Sequence, residues 1–344
     1  NRNIANLCFN SSQEELNNLL DNIKNPTIGK AFLTTYYKLN NSNYNKVLCS
    51  ISGGSDSDIV LDLMTKCDNN KIVHYFYFDT GLEYQATKEH INYLQEKYNI
   101  VITTLKPKTP IPLAVKKYGQ PFLSKMVSEN IQRLQKHGFK WENKPYEELV
   151  KEYPNCRSAL QWWCNSRKNN VLLGITRNKG LKEFMMNNNP KFNISNKCCK
   201  YAKKDILKDL LKQGYDLNIS GIRRSEGGTR STAYKSCFDN QDNYDNYRPI
   251  FWFTDDDKTE YKKLFNILHS KCYTVYGLKR TGCCGCPFSR NFEKELTIMK
   301  TYEPKLYNAA TNIFKNSYDY TRKYKEFVKN NFNNKEIEGQ ISMF

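Results

Sequence analysis

Apolar residues near the start of the chain recur at helical spacing. Leu16, Leu19, Leu20 and Ile23 form one stripe within SSQEELNNLLDNI, with Ser11 or Ser12 as the N-cap. The period then shortens. KVLCSI (46–51) predicts a buried strand, SDIVLDLMTK (57–66) a helix, KIVHYFYFD (71–79) a second strand, YQATKEHINYLQEKY (84–98) a helix and IVITTL (100–105) a third strand. Strands joined through single helices pair in parallel, because only a crossover connection returns the chain to the same sheet in the same direction. The pattern therefore predicts an α/β fold, a doubly wound and mostly parallel sheet with added helical regions. Ligands of such sheets sit at the carboxyl ends of strands, and both 52–57 and DTGLE (79–83) fall there.

From about 107 to 200 the text turns helical, basic and aromatic, as in SENIQRLQKHGFKW and ALQWWCNSRKNN. YDLNISGIRR (215–224) returns to strand character, TDDDKTEYKKLFNILHS (254–270) reads as a capped amphipathic helix, and 291–332 is helical again. The organisation expected is an N-terminal helical segment (1–42), an α/β catalytic domain (43–290) with a helical insert at about 110–200, and a C-terminal helical segment (291–344).

Composition narrows the classes. The 344 residues are 39% hydrophobic and 13% aromatic, which suits a packed globular chain. No apolar run reaches the roughly 20 residues of a membrane span, so the reading is a soluble, cytoplasmic protein without a membrane partner. A net charge of +18 fits either a lysine-rich solvated surface or an electrostatic footprint for nucleic acid. Twelve cysteines without a secretion signal do not support a disulfide framework, so their spacing matters more than their number. The four histidines (His74, His90, His137, His269) are scattered along the chain, which argues against a histidine-rich metal site.

The sharpest feature is Ser52-Gly53-Gly54-Ser55-Asp56-Ser57, between a strand and a helix start. Glycines remove Cβ atoms and allow positive φ, so backbone amides converge on one anion. Serine hydroxyls add donors, and the following helix presents its positive end. No G-x-x-x-x-G-K-[ST] occurs, so the loop is not the lysine-bearing phosphate loop of common nucleotide-binding proteins. Asp56 beside a phosphate needs a role through Mg²⁺ or in orienting the loop.

SGGxDS after the first strand resembles the PP-loop motif of the adenine nucleotide α-hydrolase-like superfamily, which includes ATP pyrophosphatases and phosphoadenosine phosphosulfate (PAPS) reductases. FDTGLEYQATKEHI (78–91) resembles that family's second block, GIRRSEGGTRS (221–231) its anion-binding block, and YRPIFWFTDDDKTEYKKLF with VYGLKRTGCCGCPF its closing block. The resemblance implies that Ser52, Gly53, Gly54, Ser55, Asp56 and Ser57, with Asp79, Thr80 and Gly81, bind nucleotide. It makes Asp56, Arg223, Arg224 and Arg230 the catalytic candidates, and a guanidinium fork does match phosphate oxygens bidentately. Glu226 is placed to fix arginine geometry.

Cys198-Cys199 followed at long range by Cys283-x-x-Cys286 is similar to the motif that binds a 4Fe–4S cluster in adenylylsulfate (APS) reductases. A four-cysteine zinc site and unligated thiols are the alternatives, and Cys284 is an extra thiol in the turn. The other cysteines (Cys8, Cys49, Cys67, Cys156, Cys164, Cys237, Cys272) lack ligand spacing.

Sulfonucleotide reductases carry a C-terminal cysteine motif, whereas no cysteine follows Cys286 here, and their phosphate loops are degenerate where this one is intact. The leading expectation is therefore an ATP pyrophosphatase, using ATP with Mg²⁺, that adenylates an acceptor for sulfur transfer. It is similar in logic to the sulfur-activating protein of DNA phosphorothioation. An APS or PAPS reductase and a non-catalytic nucleotide sensor are the alternatives. DNA, tRNA and a small molecule are the acceptors left open, with nucleic acid suited by the charge, and a partner protein is a candidate sulfur donor. Trp141, Trp162, Trp163, Arg157 and Arg167 suit either base stacking or a core.

Overall fold

The computed structural model describes residues 13–167, 174–226 and 233–332. Cys8, Ser11, Ser12 and Arg230 lie outside the described residues. The chain divides into two compact units, Asn1–Pro107 with Lys203–Cys283, and Lys108–Ala202 with Cys284–Phe344.

The first unit holds a six-stranded sheet in the order β3-β2-β1-β4-β6-β5. Its strands are β1 (Val47–Ile51), β2 (Val73–Phe78), β3 (Ile102–Leu105), β4 (Leu217–Ile219), β5 (Phe238–Asn240) and β6 (Asp245–Tyr247). All pairings are parallel except that of β5 with β6. The helices of this unit are α1 (Gln13–Asn22), α2 (Pro26–Asn40), α3 (Ser55–Cys67), α4 (Gln85–Tyr98), α5 (Asp205–Leu211), α6 (Asp255–Leu264) and α7 (Lys271–Thr274). The fold is α/β, doubly wound and mostly parallel.

Alternation along β1 sets the layers. Val47, Cys49 and Ile51 enter the main core with Leu16, Phe32, Val60, Ile91 and Tyr261, while Leu48 points the other way against Phe76, Leu210 and Tyr215. The chain runs from β1 outward through β2 and β3, then crosses to β4 on the opposite side of β1. The carboxyl ends of β1 and β4 therefore flank a topological switch point, where a crevice opens.

Local differences from the sequence pattern have physical causes. α3 begins at Ser55, so Ser55, Asp56 and Ser57 belong to its first turn. α6 stops at Leu264 because Asn266 turns left-handed (φ 49°) and the Ile267 amide closes on the Lys262 carbonyl at 3.0 Å. The β5–β6 hairpin has no apolar alternation and went unpredicted; its FDN and DNY strands are three residues each. No described helix is long and apolar enough to cross a membrane.

The second unit is built around a helical, aromatic core. Trp162 and Trp163 are fully buried, Trp141 nearly so, and Phe139 meets both Trp141 and Trp163 edge-on. These three tryptophans are core residues and offer no face for a stacked base. Gly119 ends the helix Ile111–Tyr118 at φ 111° and ψ 167°, a conformation reserved for glycine, and lets Gln120 exchange hydrogen bonds with Asn193 and Ser195 at 2.8 and 2.9 Å. A Cβ there would lie 2.3 Å from the Asn193 carbonyl oxygen, whereas one at Gly138 (φ 66°) would meet open space. Gly119→Ala is therefore expected to destabilise by at least ~1–3 kcal/mol, and Gly138→Ala by about 1 kcal/mol. Thermal denaturation of both variants checks this, and equal losses would contradict it.

Candidate functional site

The site grows from the end of β1. Gly53 takes φ 66°, and a Cβ there would sit 2.8 Å from Thr87 Cγ2. Gly54 is the N-cap of α3 in extended conformation. The first helical hydrogen bond runs from the Asp58 amide to the Gly54 carbonyl at 3.0 Å, so the amides of residues 54–57 have no acceptor within the helix. Hydroxyl groups take up part of that role. The Gly54 amide donates to Ser52 Oγ at 3.3 Å, the Ser55 amide to Tyr273 Oη at 3.1 Å, and the Ser52 amide to Ser57 Oγ at 3.2 Å. Tyr273 Oη also lies 3.1 Å from Thr281 Oγ1, so α7 and the segment after it brace the loop.

The segment after β4 approaches the same turn. A Cβ on Gly221 would lie 3.3 Å from the Asp56 carbonyl group, and two residues later Arg223 reaches Asp56 Oδ1 with Nε at 3.1 Å. Each nitrogen of this buried guanidinium has a protein acceptor. Nη1 donates to Ser225 Oγ at 2.8 Å and to the Phe253 carbonyl at 3.4 Å, and Nη2 pairs with Asp255 at 3.0 Å. Lys258, on α6, places Nζ 2.5 Å from Asp56 Oδ1 and 2.9 Å from Ser55 Oγ. The Asp56 carboxylate thus sits between two cations. These contacts fix the carboxylate against the first turn of α3.

The other expected residues are placed as follows. Arg224 is exposed and lies over the Trp252 ring, 5.6 Å from its centroid. Glu226 accepts the Arg223 amide at 3.4 Å and pairs with Arg280 at 3.4 Å, so it holds the backbone of Arg223 rather than its guanidinium. Asp79 caps its own turn through the Gly81 amide at 3.1 Å and pairs with Lys88 at 3.0 Å. Thr80 donates to Glu83 at 2.6 Å and lies 3.8 Å from Cys283 Sγ, which brings that cysteine onto the Asp79–Gly81 turn. Burial pushes the Glu83 carboxyl up, against the opposing pull of Lys203 and Thr80.

Two scattered histidines converge on one carboxylate. Asp58, fully buried on α3, accepts from His269 Nδ1 at 2.8 Å, and His90 Nε2 stands 3.1 Å from its other oxygen. Burial alone would raise the Asp58 carboxyl, but the contacts with His269 and His90 outweigh it and hold the group below its ordinary value of 3.8. His269 also lies against the Tyr273 ring, so this network backs the tyrosine that caps the loop. The trace of it in the sequence is an acidic pair, Asp58 and Asp62, four apart and flanking the apolar run Ile59–Leu61.

In the second unit, Cys198 and Cys199 open a helical run whose next turn, Lys200–Lys204, is π-helical. Cys284 is buried and Cys286 half-buried, with Gly285 between them at φ 60° and its carbonyl accepting from Tyr318 Oη. Among the described residues no three His, Cys, Asp or Glu side chains gather closely enough to hold a metal ion. Cys198, Cys199, Cys283 and Cys286 remain ligand candidates by donor type and spacing. Cys49, Cys67, Cys156 and Cys272 are core, and burial drives the Cys49 and Cys67 thiols well up.

Residues 46–168 match the family model of the phosphoadenosine phosphosulfate reductase domain. The chain is similar to an uncharacterised protein of Methanocaldococcus jannaschii, 24% identical over 287 residues that make up 83% of this chain and 51% of that protein. It therefore spans about half of that relative's length. It is also similar to adenosine 5'-phosphosulfate reductase 2 of Bacillus subtilis, 23% identical over 242 residues, 70% of this chain and 72% of that one. Two solved structures align with it at low scores. One is phosphoadenylyl-sulfate reductase from Candida auris in a phosphate complex (TM-score 0.40, 12% identity, 80% of this chain and 98% of that one). The other is the U34-tRNA thiolase NcsA from Methanococcus maripaludis with its 4Fe–4S cluster (TM-score 0.36, 13% identity, 89% and 81%).

The Asp58 network makes a pH-dependent prediction. Its folded value lies below the unfolded one, so the carboxylate contributes stability above the ordinary value of 3.8, and that contribution is lost as pH falls through the folded value. Asp58→Asn is expected to cost about 3–5 kcal/mol at neutral pH, with a gap to wild type that narrows under acid. Urea midpoints at pH 7 and on acid titration measure it; a constant or absent gap contradicts the role.

Proposed function

We propose, from the match of residues 46–168 to the phosphoadenosine phosphosulfate reductase domain, that this chain is an ATP pyrophosphatase activating an acceptor for sulfur transfer. The observation that carries the proposal is the intact phosphate loop. Its glycines, first-turn amides and hydroxyls lie at the β1/β4 switch point, with Lys258 and the Asp56–Arg223 pair fixed on its first helical turn.

In the reaction proposed, an acceptor oxygen attacks the α-phosphorus of ATP. A new oxygen–phosphorus bond forms, the bond to the β-phosphate's bridging oxygen breaks, and pyrophosphate leaves with the Mg²⁺ that accompanies the substrate. Loop amides and the helix end of α3 stabilise the charge on that leaving group. A sulfide then attacks the adenylated acceptor, its bond to sulfur forming as the bond to the AMP oxygen breaks and AMP leaves. Arg223 serves by position, holding Asp56 and the turn, and the Asp79–Gly81 turn would face the nucleoside.

Cys198, Cys199, Cys283 and Cys286 would hold a 4Fe–4S cluster, which supplies sulfur-binding and Lewis-acid chemistry when bound; zinc is the alternative for the same thiolates. The net charge of +18 supports a nucleic-acid acceptor, DNA or tRNA. A second reading, sulfonucleotide reduction, is favoured by the similarity to the Bacillus subtilis reductase over 70% of the chain.

Purified anaerobically, the protein is expected to contain iron and sulfide; zinc alone would overturn the cluster assignment. With ATP and nucleic acid it is expected to release pyrophosphate, and Asp56→Ala to slow that release about 10²-fold by letting Lys258 and Arg223 drift. Sulfite release from APS or PAPS with a thiol donor, and no turnover of ATP, would reverse the ranking.

A further inference from the structure

The loop has no lysine of its own, yet one arrives from 203 residues further along the chain. Lys258 stands in α6, whose start is fixed by a capping box between Thr254 and Asp257. Asn25, just before α2, reinforces it by donating to Asp257 at 2.8 Å and Glu260 at 2.7 Å. The backbone of Lys258 is therefore held while its four-carbon stem stays free to swing. Its ammonium touches Ser55 Oγ and Asp56 Oδ1, and the side chain remains 18% exposed.

Of the arginines expected to bind phosphate, the two among the described residues, Arg223 and Arg224, have other contacts. Arg223 would abandon Asp56, Ser225, Asp255 and the Phe253 carbonyl to reach a ligand. Arg224 lies over Trp252. An ammonium is a compact charge with three rotatable donors, so exchanging one oxygen anion for another costs it little. Asp56 is such an anion, held where the loop's amides begin.

We propose that Lys258 is the phosphate-binding lysine of this loop. On nucleotide entry its ammonium exchanges Asp56 Oδ1 for a non-bridging oxygen at the pyrophosphate end, while Asp56 keeps Arg223 and so keeps the turn in place. Lys258 thereby does from a distant helix what a lysine within the loop does in other nucleotide-binding folds. The inference rests on the reading of the loop as the seat of a nucleotide's phosphates.

Calorimetric titration of ATP, inorganic pyrophosphate and AMP into wild type, K258M and K258R tests it. A charge-assisted hydrogen bond contributes about 1.5–3 kcal/mol, which is roughly 10–100-fold in affinity. K258M is expected to weaken pyrophosphate and ATP by that factor and AMP by less than ~3-fold, with K258R recovering most of the loss. Melting temperatures should barely move, because Asp56 keeps its pair with Arg223 when Lys258 is replaced and is not left alone. Unchanged pyrophosphate affinity in K258M, beside wild-type binding of ATP, overturns the role of Lys258 and leaves the function standing. Equal weakening of all three ligands overturns it as well, showing a structural effect. If wild type binds none of the three, the nucleotide reading falls and this inference with it. K258Q, which keeps polar contact with Ser55 and Asp56, is read by the same criteria if K258M does not fold.

Discussion

The site depends on one ion pair. β1 and β4 are neighbours in the sheet but their following segments have no covalent reason to meet, and it is Asp56 with Arg223 that joins them. Both groups are largely withdrawn from water, so each would be costly alone and the pairing is strongly directional. Gly221 makes it possible, since the backbone after β4 comes within 3.3 Å of where its Cβ would touch Asp56. With that contact in place the first turn of α3 is fixed in orientation, and with it the amides that face the crevice. Remove it and two strand ends remain, without a defined anion site between them.

α3 carries an unusual load for a core helix. It buries Asp58 and Asp62 one turn apart among Ile59, Val60, Leu61 and Leu63. Asp62 is matched by Lys66 at 2.5 Å and by the hydroxyls of Tyr98 and Tyr261 at 2.9 and 2.7 Å. Asp58 is matched by the two imidazoles. Apolar residues would pack such a helix at lower desolvation cost, but they would not fix its rotation. Here the partners come from α4, α6 and the segment before α7, so the polar contacts lock the helix to three neighbours. The loop inherits that rotation directly.

The legible part of this fold was its local part. β1, β2, β3, α3 and α4 announce themselves through short apolar runs and 3.6-residue spacing, and the loop through its glycines and hydroxyls. The β5–β6 hairpin was hidden because DNY and FDN have no apolar alternation; β6 forms by pairing with β4, a tertiary effect. His90 and His269 are separated by most of the chain, and no local pattern says that both will reach Asp58. The tryptophans of the insert show the converse, since an aromatic-basic composition cannot say which rings turn inward. Arg223 and Arg224 were visible as a pair, but adjacent residues point different ways, and one became a buried clamp while the other met Trp252.

That divergence explains how a loop without a lysine manages its electrostatics. An anion site needs cations of two kinds: some that hold the walls and cannot leave, and at least one that can follow the ligand. A guanidinium with acceptors on all three nitrogens serves the first purpose, because its fork is satisfied only in one orientation. An ammonium on a flexible stem serves the second. Loops that carry their own lysine combine both functions within a few residues. In this chain they are divided between the segment after β4 and the first turns of α6, and Asp56, contacted by both, is the residue through which the two are kept in register.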